Sequence, residues 1–390
     1  MKKVTSIFTA LIITVCLAFS ACAKSADIGS DSGEMRKDMT SAEFAKEMGM
    51  GINLGNTMEA YWAADTRKCS GASVIGGNTP KNYETCWGAV PTTKECIAGM
   101  KSEGFDTVRI PVYWGNMMAE DGKFTINEDW FKRVDEIIGY ARSADLYVVI
   151  NVHHYDEYII KNYSKDEALK IMRKIWKQIA EHYRNFSDYL IFEGYNENLG
   201  TVREGDNFTD DEKFDYVNEM NRIFVDTVRK TGGNNKNRML IVSGYWTNID
   251  LTTDSRFIIP KDTVPDRIMV SVHYIDNAMY WTNKIGGKEW LDYSRAQCEL
   301  LKKAFTDKGI QVFVGECTSI YSKDRFAENA EHTDSTECLG IMYDMMNEYG
   351  FIPVLWDVNQ NFYSRIKCEI IYESDRELIR SLKDNAEKIG

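Results

Sequence analysis

The chain has 390 residues and a net charge of −12, with 44% hydrophobic and 27% charged residues, an ordinary balance for a soluble globular protein. The acidic excess argues against a nucleic-acid surface, which needs clustered Lys and Arg. The length fits one α/β barrel, an architecture that routinely takes ~250 residues or more.

The chain opens with a leader. Lys2 and Lys3 precede an apolar run from Ile7 to Phe19 and then Ser20-Ala21-Cys22-Ala23. This is the layout of a secretory signal over residues 1–22, and the run is too short for a good spanning helix. Phe19-Ser20-Ala21-Cys22 fits a loose lipoprotein box in which Cys22 becomes the lipidated first residue. A plain cleavage site at Ala21-Cys22-Ala23 fits too; the anchor is the preferred reading. The protein is then exported and held at the outer surface or in the periplasm by its lipid, or otherwise secreted. Residues 23–37, rich in Ser, Asp and Gly, read as a flexible tether.

Export permits disulfides. Of nine cysteines, Cys16 and Cys22 fall in the leader, which leaves an odd number. Cys69 and Cys86 share one Gly/Asn/Thr-rich loop and are the preferred pair. Cys317 reads as a small buried residue, and no spacing resembles a zinc site.

From residue 38 to 390 the pattern is that of a single domain. Thr40-Ser41-Ala42-Glu43 is a capping box opening a short helix through Met48. Apolar, β-branched runs follow at Gly51–Leu54, Thr107–Val112, Tyr147–Val152, Tyr189–Phe192, Met239–Val242, Ile268–Val272, Gln311–Val314 and Phe351–Leu355. Between them lie segments of helical period, among them Trp130–Ser143, Lys165–Tyr183, Asp211–Lys230, Tyr293–Lys308 and Asp334–Glu348. Gly104, Gly309 and Gly350 stand where left-handed caps end helices. Continuous apolar strands alternating with helices mean a parallel sheet covered by helices. Eight such units, with no Gly-rich phosphate turn after the first strand, favour a closed (β/α)8 TIM barrel.

Barrel enzymes place their chemistry where strands finish. Here polar residues collect at nearly every strand end: Asn53 to Glu59, Arg109, His153-His154, Asn196-Glu197, His273-Tyr274, Glu316 and Trp356-Asp357. Glu197 and Glu316 both end apolar strands, and two such carboxylates are what glycoside hydrolysis requires. A metal reading of His153-His154 is disfavoured, since adjacent side chains on a strand diverge. No metal or cofactor is expected.

The motifs Gly51-Ile52-Asn53-Leu54-Gly55-Asn56, Arg109, His153-His154, Asn196-Glu197, His273, Glu316 and Trp356 resemble glycoside hydrolase family 5, the retaining endo-β-1,4-glucanase and mannanase family. The resemblance covers nearly the whole mature chain. It implies that Glu197 is the acid/base and Glu316 the nucleophile. It further implies that Arg109 and Asn196 hold the nucleophile and the sugar 2-hydroxyl, that His153 and His273 support them, and that Trp356 is the sugar platform. Asn56, Glu59 and His154 resemble glycone-side contacts of some members. Arg109 beside Glu316 is expected to favour the ionised form of the nucleophile, while the charge of Glu316 and burial favour protonated Glu197.

One departure stands out. The family places a tyrosine two positions after the sixth-strand histidine, where this chain has Ile275. Tyr274, Tyr280 or another hydroxyl must replace it, or Glu316 is less well oriented. The loop from Ala60 to Ala89, with Trp62 and Trp87, is expected to shape the glycone end of the cleft, and Trp246, Trp281 and Trp290 are further platform candidates. The implied activity is hydrolysis of internal β-1,4 bonds in a β-linked polysaccharide by a monomer. β-Mannan and xyloglucan are alternative substrates, and a weakened carbohydrate-binding barrel is the alternative class.

Overall fold

The apolar runs form eight parallel strands, β1 (Gly51–Asn53), β2 (Thr107–Ile110), β3 (Tyr147–Ile150), β4 (Leu190–Glu193), β5 (Leu240–Ser243), β6 (Ile268–His273), β7 (Val312–Thr318) and β8 (Ile352–Trp356). They pair in sequence order, and β8 returns to β1 through Gly51 and Val354, so the sheet is a closed barrel. The computed structural model describes residues 31–61, 77–119, 121–200, 208–318, 321, 335–358 and 362–389. The leader, Trp62 and Cys69, and with it the Cys69–Cys86 pairing, lie outside the described residues.

The helices are α1 (Ser41–Met48), α2 (Pro80–Glu84), α3 (Lys94–Glu103), α4 (Glu128–Ser143), α5 (Tyr155–Asn162), α6 (Lys165–His182), α7 (Asp210–Thr231), α8 (Ile249–Thr252), α9 (Asn277–Trp281), α10 (Gly287–Ala304), α11 (Ser335–Glu348) and α12 (Glu373–Ile389). The capping box of α1 is present, with Thr40 and Glu43 bonded reciprocally. Gly104 and Gly309 adopt left-handed backbone, φ 116° and 81°, as helix-ending residues.

Because side chains alternate across a strand, each strand feeds two cores. Val108, Ile110, Val148, Ile150, Leu190 and Phe192 point outward against the helices. Tyr147, Val149, Ile191, Met269, Phe313 and Ile352 point inward, where Phe44 and Met48 of α1 join them. Helix α1 is therefore a plug for the barrel floor, the end where the strands begin. Each of these two plug side chains is fully buried, which is worth about 1.5–3 kcal/mol.

Residues 31–37, expected within a tether, are docked across this floor. Asp31 accepts hydrogen bonds from the backbone N–H and hydroxyl of Ser187 at 2.9 and 2.7 Å. Arg36 binds Asp188 at 2.9 Å, Glu47 at 2.8 Å and the Tyr147 hydroxyl at 2.7 Å. A cavity of about 1210 Å³, lined by residues of α1, α11 and α12, also opens on the floor. It lies at the far end from the strand-end polar residues.

Candidate active site

The inward phase that starts with apolar residues at the floor becomes polar toward the other end. On β1 it reaches Asn53, on β2 Arg109, on β4 Glu193 and on β6 Ser271 and His273, all buried. Arg109 is the hub. Its Nε donates to Glu193 Oε2 at 2.7 Å, Nη1 to Asn53 Oδ1 at 2.9 Å and Glu316 Oε1 at 3.2 Å, and Nη2 to Asn196 Oδ1 at 2.8 Å. Burial pulls the guanidinium pKa down, but the charges of Glu193 and Glu316 outweigh it and hold Arg109 above its usual range. Asn53 in turn ties β1 to its neighbours by donating to the carbonyls of Gly315 and Leu355 at 2.9 and 3.0 Å.

Glu316 reaches the cleft through an irregularity. The register of β7 against β8 shifts between Val314 and Cys317, and against β6 it pairs His273 with Glu316. Such bulges re-aim a side chain next to active sites. The shift also lets β7 continue to Thr318, past the expected end at Val314. Cys317 is buried, as expected.

Tyr274 answers the question raised by Ile275. Its hydroxyl donates to Glu316 Oε2 at 3.2 Å, so Arg109 and Tyr274 hold one oxygen each. A residue following His273 in an extended strand would point to the opposite face. Tyr274 instead has φ 44°, in the left-handed region, and so turns back into the cleft. Ile275 is buried in the outer core. Burial first, and then the charge of Glu316, raise the Tyr274 pKa well above its usual value, which keeps the hydroxyl a donor.

Glu197 lies half-buried beyond the end of β4, its side chain 29% exposed. His273 Nδ1 is 3.2 Å from Glu197 Oε1 and 3.6 Å from Glu316 Oε2. A carboxylate oxygen of each glutamate and a ring nitrogen of His273 all lie within 4.8 Å of one another. The expectation that burial and the charge of Glu316 keep Glu197 protonated is corrected. Burial is the largest single effect and pushes its pKa up, but the hydrogen bond and charge of His273, with the charges of His154 and Arg109, together outweigh it, and the carboxyl sits below its ordinary value.

Trp356 is half-buried at the end of β8, with its ring stacked on His153 at 6.2 Å and 13°. His153 is buried; burial, and then the charges around it, lower its pKa well below the usual value, so it is a neutral support. Gly55 lies against the Trp356 ring. A Cβ there would lie 2.6 Å from the Asp357 carbonyl oxygen and 3.1 Å from the Trp356 ring, which explains a glycine in the Gly51–Asn56 motif.

Asn56 is half-buried in left-handed backbone, φ 58°. His154 is bonded to Glu157 at 3.2 Å and its ring lies 5.8 Å from Tyr61 and 5.9 Å from Trp87. Glu59 does not face the cleft as expected. It is fully buried, and its carboxylate accepts from the backbone N–H groups of Asn56 and Thr57, clamping the loop that carries Asn56. Trp281 stands 61% exposed, edge-on to Tyr280 at 5.0 Å. Trp246 is also exposed. Trp290 is not a platform: it is fully buried and its indole N–H donates to Asp276 at 3.0 Å.

The sequence profile described as Cellulase (glycosyl hydrolase family 5) matches residues 70–362. The chain belongs to glycoside hydrolase family 5. Among curated relatives of this family, Endoglucanase A of Paenibacillus barcinonensis is 32% identical over 389 residues, covering 91% of this chain and 90% of that protein. Endoglucanase A of Clostridium longisporum is 33% identical over 327 residues, covering 81% of this chain and 59% of that longer protein. A solved family 5 structure, the GH5-4 broad specificity endoglucanase from an uncultured bovine rumen ciliate, superposes with a TM-score of 0.75 at 29% identity, covering 89% of this chain and 99% of that one. The Bacteroides ovatus GH5 xyloglucanase in complex with a XXXG heptasaccharide gives a TM-score of 0.75 at 25% identity, covering 92% of this chain and 80% of that one.

Within the family 5 site, sequence reasoning brought Arg109, Asn196, Glu197, His273, Tyr274 and Glu316 to one place, and they meet. It gave no role to Glu193, Asn53, Asn151 and Ser271, which hold that group from below. A signal for Glu193 was present. A charge in phase with Ile191 on a buried strand must have a partner inside the barrel.

Proposed function

We propose that this family 5 protein is a retaining endo-β-1,4-glucanase, with Glu316 as nucleophile and Glu197 as acid/base. The observation that carries this reading is the spacing of the two carboxylates, with oxygens within 4.8 Å. A retaining mechanism needs the pair ~5 Å apart, whereas an inverting one leaves room for a water between them. Glu316 attacks the anomeric carbon, and the proton of Glu197 passes to the departing glycosidic oxygen. Glu197 then takes a proton from water as that water displaces Glu316 and regains the proton for the next cycle. Arg109 and Tyr274 fix both oxygens of Glu316 before attack, which lowers the reorganisation cost of the reacting group. A sugar ring over Glu197 removes water from its exposed flank and strengthens the burial effect that favours the neutral acid.

Broad action that includes xyloglucan is the second reading, favoured by the activities for which the structural relatives above are named. The binding-barrel alternative loses its motive, because Tyr274 supplies the hydroxyl that Ile275 removes. The test is reducing-sugar release by purified residues 38–390, and by residues 31–390 with the docked segment retained, on carboxymethylcellulose, glucomannan, galactomannan and xyloglucan. EDTA-insensitive hydrolysis supports the carboxylate pair and its ranking names the substrate; silence from folded protein overturns the reading. For location, we propose export with a lipid on Cys22. No helix among the described residues is long and apolar enough to cross a membrane, and mass spectrometry that found a free Ala23 or Lys24 start would exclude the anchor.

A further inference from the structure

We infer that Glu193 is a positioning residue for catalysis: a buried charged strut that shares Arg109 with the nucleophile and so sets how Glu316 is held. The inference rests on the reading of Glu316 as nucleophile. Glu193 has no exposed side-chain surface, so it does not touch a sugar. Its Oε2 accepts from Arg109 at 2.7 Å and from Asn151 at 3.0 Å, and its Oε1 accepts from Ser271 at 2.8 Å. These three partners come from β2, the end of β3, and β6, so the carboxylate is fixed by rigid parts of the barrel on three sides.

Stability does not by itself ask for such a group. Replacing a buried ion pair with well-packed apolar residues is often neutral or stabilising, and an all-apolar phase fills the same barrel one layer below. The arrangement around Arg109 gives the charge a use. The shorter of its two carboxylate contacts goes to Glu193, at 2.7 Å, and the longer to Glu316, at 3.2 Å. A nucleophile that alone balanced a buried guanidinium would be an over-stabilised anion. Glu193 absorbs part of that field, leaves Glu316 able to attack, and keeps Nη2 aimed at Asn196 next to the acid. Without the strut, Arg109 is drawn onto Glu316 and loses its set orientation.

The experiment compares wild type, Glu193→Gln, Glu193→Asp and Ser271→Ala by kcat, KM and the pH profile of kcat/KM on a soluble glucan. Glu193→Gln keeps the volume and removes the charge. It is expected to lower kcat about 10²-fold, the scale of a small misplacement of reacting groups, with KM little changed. With Arg109 no longer shared between two carboxylates, its field falls wholly on the nucleophile, so the acid-side limb of kcat/KM moves to lower pH. Glu193→Asp retains the charge and is expected to leave that limb in place. If Glu193→Gln does not fold, Ser271→Ala, which frees Oε1 alone, is expected to give a smaller loss of kcat. Unchanged kcat in Glu193→Gln would overturn the inference, as would a loss with the acid limb unmoved. For a Glu193→Gln that does not fold, unchanged kcat in Ser271→Ala would do the same. Wild type that hydrolyses nothing overturns the underlying glucanase reading instead, which separates the two failures.

Discussion

Two fully buried arginines stand at opposite ends of the barrel and are used in opposite ways. Arg238, at the floor, donates to the carbonyls of Ser187, Leu190, Tyr183 and Phe186 and to Asn235 Oδ1, at 2.5–3.0 Å. With no carboxylate among these partners, burial pulls its pKa down to about 9. Arg109, at the mouth, donates only to side chains, and two of these are carboxylates. A guanidinium that binds backbone fixes the chain; one that binds side chains fixes reacting groups and leaves them partly unsatisfied. At the mouth, His273 Nε2 is buried with no hydrogen-bond partner among the described residues, and Glu197 is half-buried.

The strongest way to break this contrast is at the mouth itself. Glu316→Gln and Glu197→Gln are each expected to reduce hydrolysis by roughly 10⁴-fold while thermal melting stays within a few degrees of wild type. Wild-type-like sugar release from either would remove the assignment. At the floor the effect should fall on stability. Arg238→Met removes the five hydrogen bonds to Asn235 and the four carbonyls and is expected to cost about 3–5 kcal/mol in urea unfolding, with kcat per folded molecule unchanged.

Smaller changes sharpen the comparison. Tyr274→Phe removes one hydrogen bond to a charged group and is expected to lower kcat about 10–100-fold with KM nearly constant. A variant with full activity would show that another hydroxyl orients Glu316. His273→Asn keeps a donor near Glu197 but removes the imidazole. Because His273 holds the Glu197 pKa below its ordinary value, losing it should raise that pKa. The acid must be protonated to work, so the alkaline limb of kcat/KM should move to higher pH. A limb that stays put or falls would show that burial, not His273, governs Glu197.

The barrel was legible because eight apolar runs, each long enough for one strand, alternate with helices. The reacting pair was legible because each glutamate stands at the end of such a run. What escaped needed three dimensions. Glu59 has the composition of a sugar contact, yet the backbone amides of Asn56 and Thr57 claim its carboxylate. Trp290 could not be told from Trp281, since only packing separates a fully buried indole from one that is 61% exposed. Tyr274 reaches Glu316 through a left-handed residue and a shifted register, and neither is written in residue types. The sign of the Glu197 shift depends on a 3.2 Å contact from a strand two places away around the barrel.

The docking of residues 31–37 has a practical consequence for handling the molecule. With Asp31 pinned to Ser187 and Arg36 to Asp188, any linker joined ahead of Asp31 leaves from the face opposite the cleft. An affinity handle or a bead coupled there would present the catalytic mouth to the bulk solution. Immobilised material should therefore keep its turnover on long polymers, and trimming the chain back past Arg36 to shorten the linker would loosen the floor instead.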